Sequence, residues 1–104
     1  MRLTVQAINF SLKSNLKKFI CKRIDKYQHY NGKILATDLY MKLEKSTFSR
    51  SKQVEIKVQI PGDTLIVKKE SHTFEKAIDA ASSAVERLLI RSKEKQLRSY
   101  QNGV

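Results

Sequence analysis

The sequence predicts a two-layer α+β domain in the order β-α-β-β-β-α, a four-stranded sheet with both helices on one face. Three observations predict it. Val54, Ile56, Val58 and Ile60 alternate with polar residues, as a half-buried strand requires. Phe74, Ala77, Ile78, Ala81, Ala84, Val85, Leu88 and Leu89 recur at steps of three and four, as a packed helix requires. A second helical period separates the first strand from the other three, which only short links connect.

Taken in order, residues 2–8 alternate, with Leu3, Val5 and Ala7 on one face and Thr4, Gln6 and Ile8 on the other. Ser11 or Ser14 is expected to cap the next element. Leu12, Leu16, Phe19, Ile20, Ile24 and Tyr27 then keep a helical period to about His29. Arg23 falls inside this apolar stripe, where its stem covers apolar surface while the guanidinium reaches out. Asn31 and Gly32 close the helix, since both tolerate a left-handed backbone.

From Ile34 to Lys45 the chain alternates again, with Leu35, Thr37, Leu39, Met41 and Leu43 on the core side. Ser46 to Lys52 is polar and reads as a loop. After Ile60 comes the turn Pro61-Gly62-Asp63, and Leu65 and Val67 carry a fourth strand to about Glu70. Strands two to four are expected to be antiparallel neighbours, and strand one to lie parallel to strand two through a right-handed crossover.

The last helix, Thr73 to about Arg98, divides its work along its length. Its apolar stripe is roughly 140° wide and ends at Leu89. Arg87, Arg91 and Arg98 lie within an arc of roughly 40° on one flank, and Lys93 and Lys95 add charge beyond the stripe. Residues 1–98 thus make one domain, with 99–104 as a short tail.

The chain's 104 residues suit one compact domain, and 40% are hydrophobic, enough for a core. Against 10 Asp and Glu stand 21 Lys and Arg, a net charge of +11. Such an excess attracts polyanions, either nucleic acid or an anionic membrane surface. The first helix is basic and amphipathic, as an interfacial helix is, but its apolar face is needed to cover the sheet. Arg87 and Arg91, one turn apart, match neighbouring phosphates in structured RNA, which is recognised largely by shape. The same charges would equally serve as solvated complements of the helix dipole. Tyr40, Phe48 and Tyr100 are candidates for stacking on a base, or for ordinary packing and disorder.

Catalytic signals are missing. Neither His29 nor His72 shares a short motif with the single Cys21 or with clustered carboxylates. Ser82 and Ser83 sit mid-helix rather than on a strained turn. Three glycines make no phosphate loop, and one cysteine allows no disulfide or cysteine zinc site. The reading is therefore no enzyme, no catalytic residue, no metal, no cofactor and no small-molecule substrate. With no signal-peptide run and no membrane-length apolar stretch, a cytoplasmic protein is expected.

Several pieces carry a resemblance. The start Met-Arg-Leu-Thr-Val-Gln, the set Leu16, Phe19, Arg23, Lys26 and Ile34, and Lys42-Leu43-Glu44-Lys45 fall in order along the chain. Ala77-Ile78-Asp79 is followed by Arg87, Leu89, Arg91, Lys93 and Lys95. Over about residues 1–98 the chain resembles the short ribosome hibernation-promoting factors of the ribosome-associated translation inhibitor family. The resemblance implies binding to the small ribosomal subunit, alone and within the 70S ribosome. Binding would lie against 16S rRNA in the channel between head and body, in the places of mRNA and tRNA, and would silence idle or stressed bacterial ribosomes.

By position it also implies RNA contacts at Arg23 and Lys26 on helix one, Lys42 and Lys45 on strand two, and Arg87, Arg91, Lys93 and Lys95 on helix two. A free monomer is expected, without the further dimerising domain of long-form members. Two positions depart from the family pattern: Ala84 stands where a basic residue is common, and Ile90 occupies a face expected to be polar. The alternative is a general double-stranded-RNA-binding module, whose α-β-β-β-α order residues 9–98 match. Against it stand the extra first strand and the opening Thr73-Phe74-Glu75-Lys76 of helix two, which lacks a lysine-rich motif.

Overall fold

The structure, a computed structural model, describes residues 2–45 and 50–102. Its elements are β1 (Arg2–Ile8), α1 (Ser14–Asp25), α2 (Tyr27–Tyr30), β2 (Ala36–Lys45), β3 (Arg50–Ile60), β4 (Asp63–Ser71) and α3 (Phe74–Asn102). The four strands lie in sequence order, β1 parallel to β2 and the other neighbours antiparallel. The expected α+β class and strand pairing both hold.

The core follows the alternation. Leu39, Met41, Val54, Ile56 and Val58 point from the sheet into one cluster with Ile20, Ile24 and Tyr27 of the first helices and Ile78, Val85 and Leu89 of α3. All of these side chains are almost completely removed from water. Burying one such aliphatic side chain contributes about 1.5–3 kcal/mol, so this single cluster holds the two layers together.

Several local expectations are corrected. Neither Ser11 nor Ser14 caps α1: Lys13 occupies the cap position with extended backbone and no side-chain cap bond, and Ser14 is already helical. The expected helix to His29 divides at Lys26, whose backbone stays in the helical region, so α2 continues as a short turn of its own. Asn31 ends that turn in an extended conformation, not a left-handed one. There its side-chain carbonyl accepts the Lys33 amide at 3.0 Å. Positive φ occurs instead at Asn9, 71°, where β1 ends, and at Gly62 in the turn after β3.

Leu35 precedes β2 and is exposed rather than in the core. Residues 50–52, read as loop, belong to β3, where Lys52 pairs with Leu43 on one side and Ser71 on the other. Two flanking strands impose the ladder there although no apolar residue marks it. The rest of that expected loop, with Phe48, lies outside the described residues. Finally, α3 runs past its expected end near Arg98 to Asn102, taking in part of the expected tail.

The two ends of α3 are fixed differently. Thr73 caps its start, accepting the Lys76 amide on Oγ1 at 3.2 Å. Phe74 stacks on Phe10 with centroids 4.4 Å apart, and Lys52 lies 6.0 Å over the Phe74 ring while donating to the His72 carbonyl. At the other end no core residue follows Leu89 among the described residues. The helix therefore extends about 20 Å beyond its last packed residue, at 1.5 Å per residue, and the molecule measures 56 × 27 × 18 Å.

Candidate RNA-binding surface

The helical geometry of α3 sorts its charges by flank. At about 100° per residue, Arg87, Arg91 and Lys95 form one row at steps of four, each about 6 Å further along the axis. All three are exposed. Spacing of this order suits successive phosphates of a nucleic-acid backbone. Lys93 is also exposed but lies on the other flank, about 120° from Arg87 around the axis. Ile90 (40% exposed) and Leu97 (54%) share that second flank, which is therefore partly apolar. The side chain of Arg98 lies outside the described residues.

Helix α1 carries Lys17, Lys18 and Lys22, with Lys26 at its C-cap, all exposed, and Arg23 of α1 and Tyr27 of α2 join this segment to α3. Tyr27 is buried, and its hydroxyl shares a 2.7 Å hydrogen bond with Ser82 Oγ. Burial pushes the Tyr27 phenol up to about 12, although the Ser82 bond works the other way. Arg23 is the second link. Its Nε donates to Asp79 at 3.3 Å, one terminal nitrogen donates to Glu86, and the other meets Ser83 Oγ at 3.4 Å. Burial disfavours the Arg23 charge, but the bonds and charges of Glu86 and Asp79 outweigh it and raise its pKa.

The guanidinium of Arg23 thus does not reach out to water as expected; it turns across to the neighbouring helix. Its side chain is 17% exposed, against 75% for a surface lysine such as Lys68. The sequence contained a signal for the partners. Asp79 and Glu86 stand seven residues apart, hence on one flank of α3, but nothing in that spacing names Arg23.

Lys42 is placed elsewhere. It projects from the sheet face opposite the helices, in a row with Ile8, Gln53 and Glu70, beside the row Gln6, Tyr40, Glu55 and Lys68. A shallow depression between these rows is lined by Ile8, Tyr40, Lys42 and Lys68 together with Gln53 and Glu70. Lys42, Lys57 and Lys68 are interleaved here with Asp38, Glu55 and Glu70, and Lys68 lies 3.9 Å from Glu55. This face is charge-balanced, whereas the helical face is strongly cationic. The Lys45 backbone ends β2, while its side chain lies outside the described residues.

Of the eight positions expected to meet RNA, the structure brings Arg87, Arg91 and Lys95 into one row. Lys26 sits at the end of the helix that Arg23 fastens to α3. Lys93 lies on the other flank of α3, Lys42 lies across the sheet, and Arg23 is paired within the protein. Among the described residues no cluster of three or more His, Cys, Asp or Glu side chains could hold a metal. No described helix is long and apolar enough to cross a membrane.

A basic two-layer domain with a cationic helix projecting past its core belongs to the class of proteins that meet large anionic surfaces. Residues 3–97 match the family of the Sigma 54 modulation protein and the S30EA ribosomal protein, and the chain belongs to that family. A curated relative, the ribosome hibernation promoting factor of Pseudomonas putida, is 26% identical over 96 residues, covering 92% of this chain and 90% of its own. Two solved structures share the fold. A ribosomal subunit interface protein from Coxiella burnetii superposes with a TM-score of 0.80 at 20% identity, over 90% of this chain and 99% of its own. The N-terminal domain of Protein Y from Thermus thermophilus gives 0.76 at 21% identity, over 88% and 98%.

Proposed function

We propose that this chain is a non-catalytic cytoplasmic factor that binds the small ribosomal subunit and holds idle ribosomes silent. It acts as a monomer against 16S rRNA, in the channel between head and body that mRNA and tRNA otherwise occupy. The observation that carries the reading is the exposed row Arg87, Arg91 and Lys95 on a helix extending past its own core. A row held on a rigid element can enter a cleft and meet phosphates on its wall without the sheet following it in. Lys26 extends the cationic surface to the end of α1, where it is the C-cap residue, and Lys93 supplies charge on the second flank of α3. Lys42 would reach RNA from the sheet side, as a protein enclosed between two walls of a channel requires, and Lys45 is counted with the contacts. Family membership and the relative's name support ribosome binding and translation inhibition.

The test is sucrose-gradient co-sedimentation of the purified protein with vacant 30S, 50S and 70S particles, with mRNA and initiator tRNA as competitors. Binding to 30S and 70S that the competitors displace is the expected result. Absence of ribosome binding with retained affinity for plain duplex RNA would identify a general RNA-binding module instead.

A further inference from the structure

Among the described cationic side chains of the helical layer, Arg23 alone has a guanidinium whose three nitrogens all meet protein groups, on Asp79, Glu86 and Ser83. Those groups lie 56 to 63 residues away on α3, so the contact is a bridge between two helices. From the arrangement we infer that Arg23 is a positioning residue for the RNA-facing surface: it orients α1 against α3 and neutralises Glu86, with Asp79 as a second, exposed partner, without touching a phosphate itself. The inference rests on the ribosome-binding reading above.

Both halves of the role follow from placement. Arg23 lies one turn before Lys26, and Glu86 is the direct neighbour of Arg87. Holding Arg23 to Glu86 therefore fixes the distance between the cations of α1 and the row on α3. Glu86 is 14% exposed, a carboxylate largely shut away from water on the flank that carries Lys93 one heptad further on. Left without its partner it would stand as negative charge on the flank of Lys93, where an approaching phosphate is repelled. A guanidinium suits this place better than an ammonium because its planar fork can address two carboxylates and a hydroxyl together.

The experiment measures 30S binding and thermal stability for Arg23→Glu, for the charge-conserving exchange Arg23→Glu with Glu86→Arg, and for Arg87→Glu with Arg91→Glu. We expect Arg23→Glu to weaken binding at least tenfold and the exchange to restore it to within about threefold, a factor that corresponds to under 1 kcal/mol. An exchanged protein with recovered stability and unrecovered binding would show that Arg23 meets RNA directly. Undiminished binding by Arg23→Glu would also overturn the assignment.

If the exchange does not fold, Arg23→Met decides, since it keeps the aliphatic stem and removes the donors. A positioning role leaves the slope of log affinity against log salt unchanged, whereas loss of a phosphate contact lowers it by about 0.9. The arginine pair on α3 separates the two readings: unaltered binding by its double mutant refutes the ribosome-binding row, while its loss beside a failed exchange refutes only the role of Arg23.

Discussion

Tyr27 and Ser82, 55 residues apart in sequence, meet through a 2.7 Å hydrogen bond in the interior between α2 and α3. Each is fully buried, so each hydroxyl depends on the other for a partner. Removing one leaves the other without water or protein to bond, which costs more than the bond itself contributes. Tyr27→Phe should therefore lose about 1–3 kcal/mol of unfolding free energy. Adding Ser82→Ala should restore part of that loss, measured by urea denaturation of both variants and the unaltered chain.

The same pair gives a pH dependence whose direction is fixed. The Tyr27 phenol titrates at about 12 when folded, against about 10 in an unfolded chain. Its contribution is therefore complete below pH 10 and lost as pH rises from 10 towards 12. Stability of the unaltered chain should fall more steeply across that window than stability of Tyr27→Phe. Parallel curves would refute it, and the comparison removes the background of lysine titration.

Reversing Arg87 and Arg91 to Glu should abolish co-sedimentation with 30S particles while shifting unfolding free energy by no more than about 0.5 kcal/mol per site. Both side chains are exposed on a helix whose grip on the core lies on another flank. A folded double mutant that still co-sediments refutes the proposed surface.

Affinity for the ribosome should fall steeply with salt. Roughly five phosphate contacts give a log–log slope of about −4, because each neutralised phosphate releases counterions. Titration of 30S binding between low and moderate potassium chloride reads the slope directly. A flat line would point to protein contacts.

Gly62→Ala should cost about 1–2 kcal/mol and leave ribosome binding unchanged. Gly62 has φ 81°, and a Cβ there would meet nothing within 4 Å, so conformation alone sets the penalty. Thermal unfolding checks the first part and co-sedimentation the second.

The layers, the strand order and most of the core were legible because they follow from periodicity. Val54, Ile56 and Val58 can face only one way in a strand, and Ile78, Val85 and Leu89 only one way in a helix. Lys52 was misread because its place in β3 is imposed by strands on both sides, with no apolar neighbour to mark it. Asn9 escaped notice because a single left-handed residue has no period.

At the site, the pairing of Arg87 with Arg91 was legible in spacing alone, since one helix determines it, whereas Lys95 was grouped with Lys93 and not with that row. The partners of Arg23 were not legible. The helical period places Arg23 inside an apolar stripe, but only the packing of α1 on α3 brings Asp79 and Glu86 to it. The face of Lys42 was legible, since alternation sets it opposite Leu39, Met41 and Leu43; only the family resemblance grouped it with the helical cations.

The helix that leaves its core at Leu89 has one more consequence. Before that residue a substitution is judged by the packing of the domain; after it, largely by what the surface touches. Mutations that alter charge at positions 91, 93 and 95 therefore pass through the fold almost unseen. Such a protein can be retuned for a stronger or weaker hold on its target one residue at a time, without first acquiring spare stability to tolerate the change.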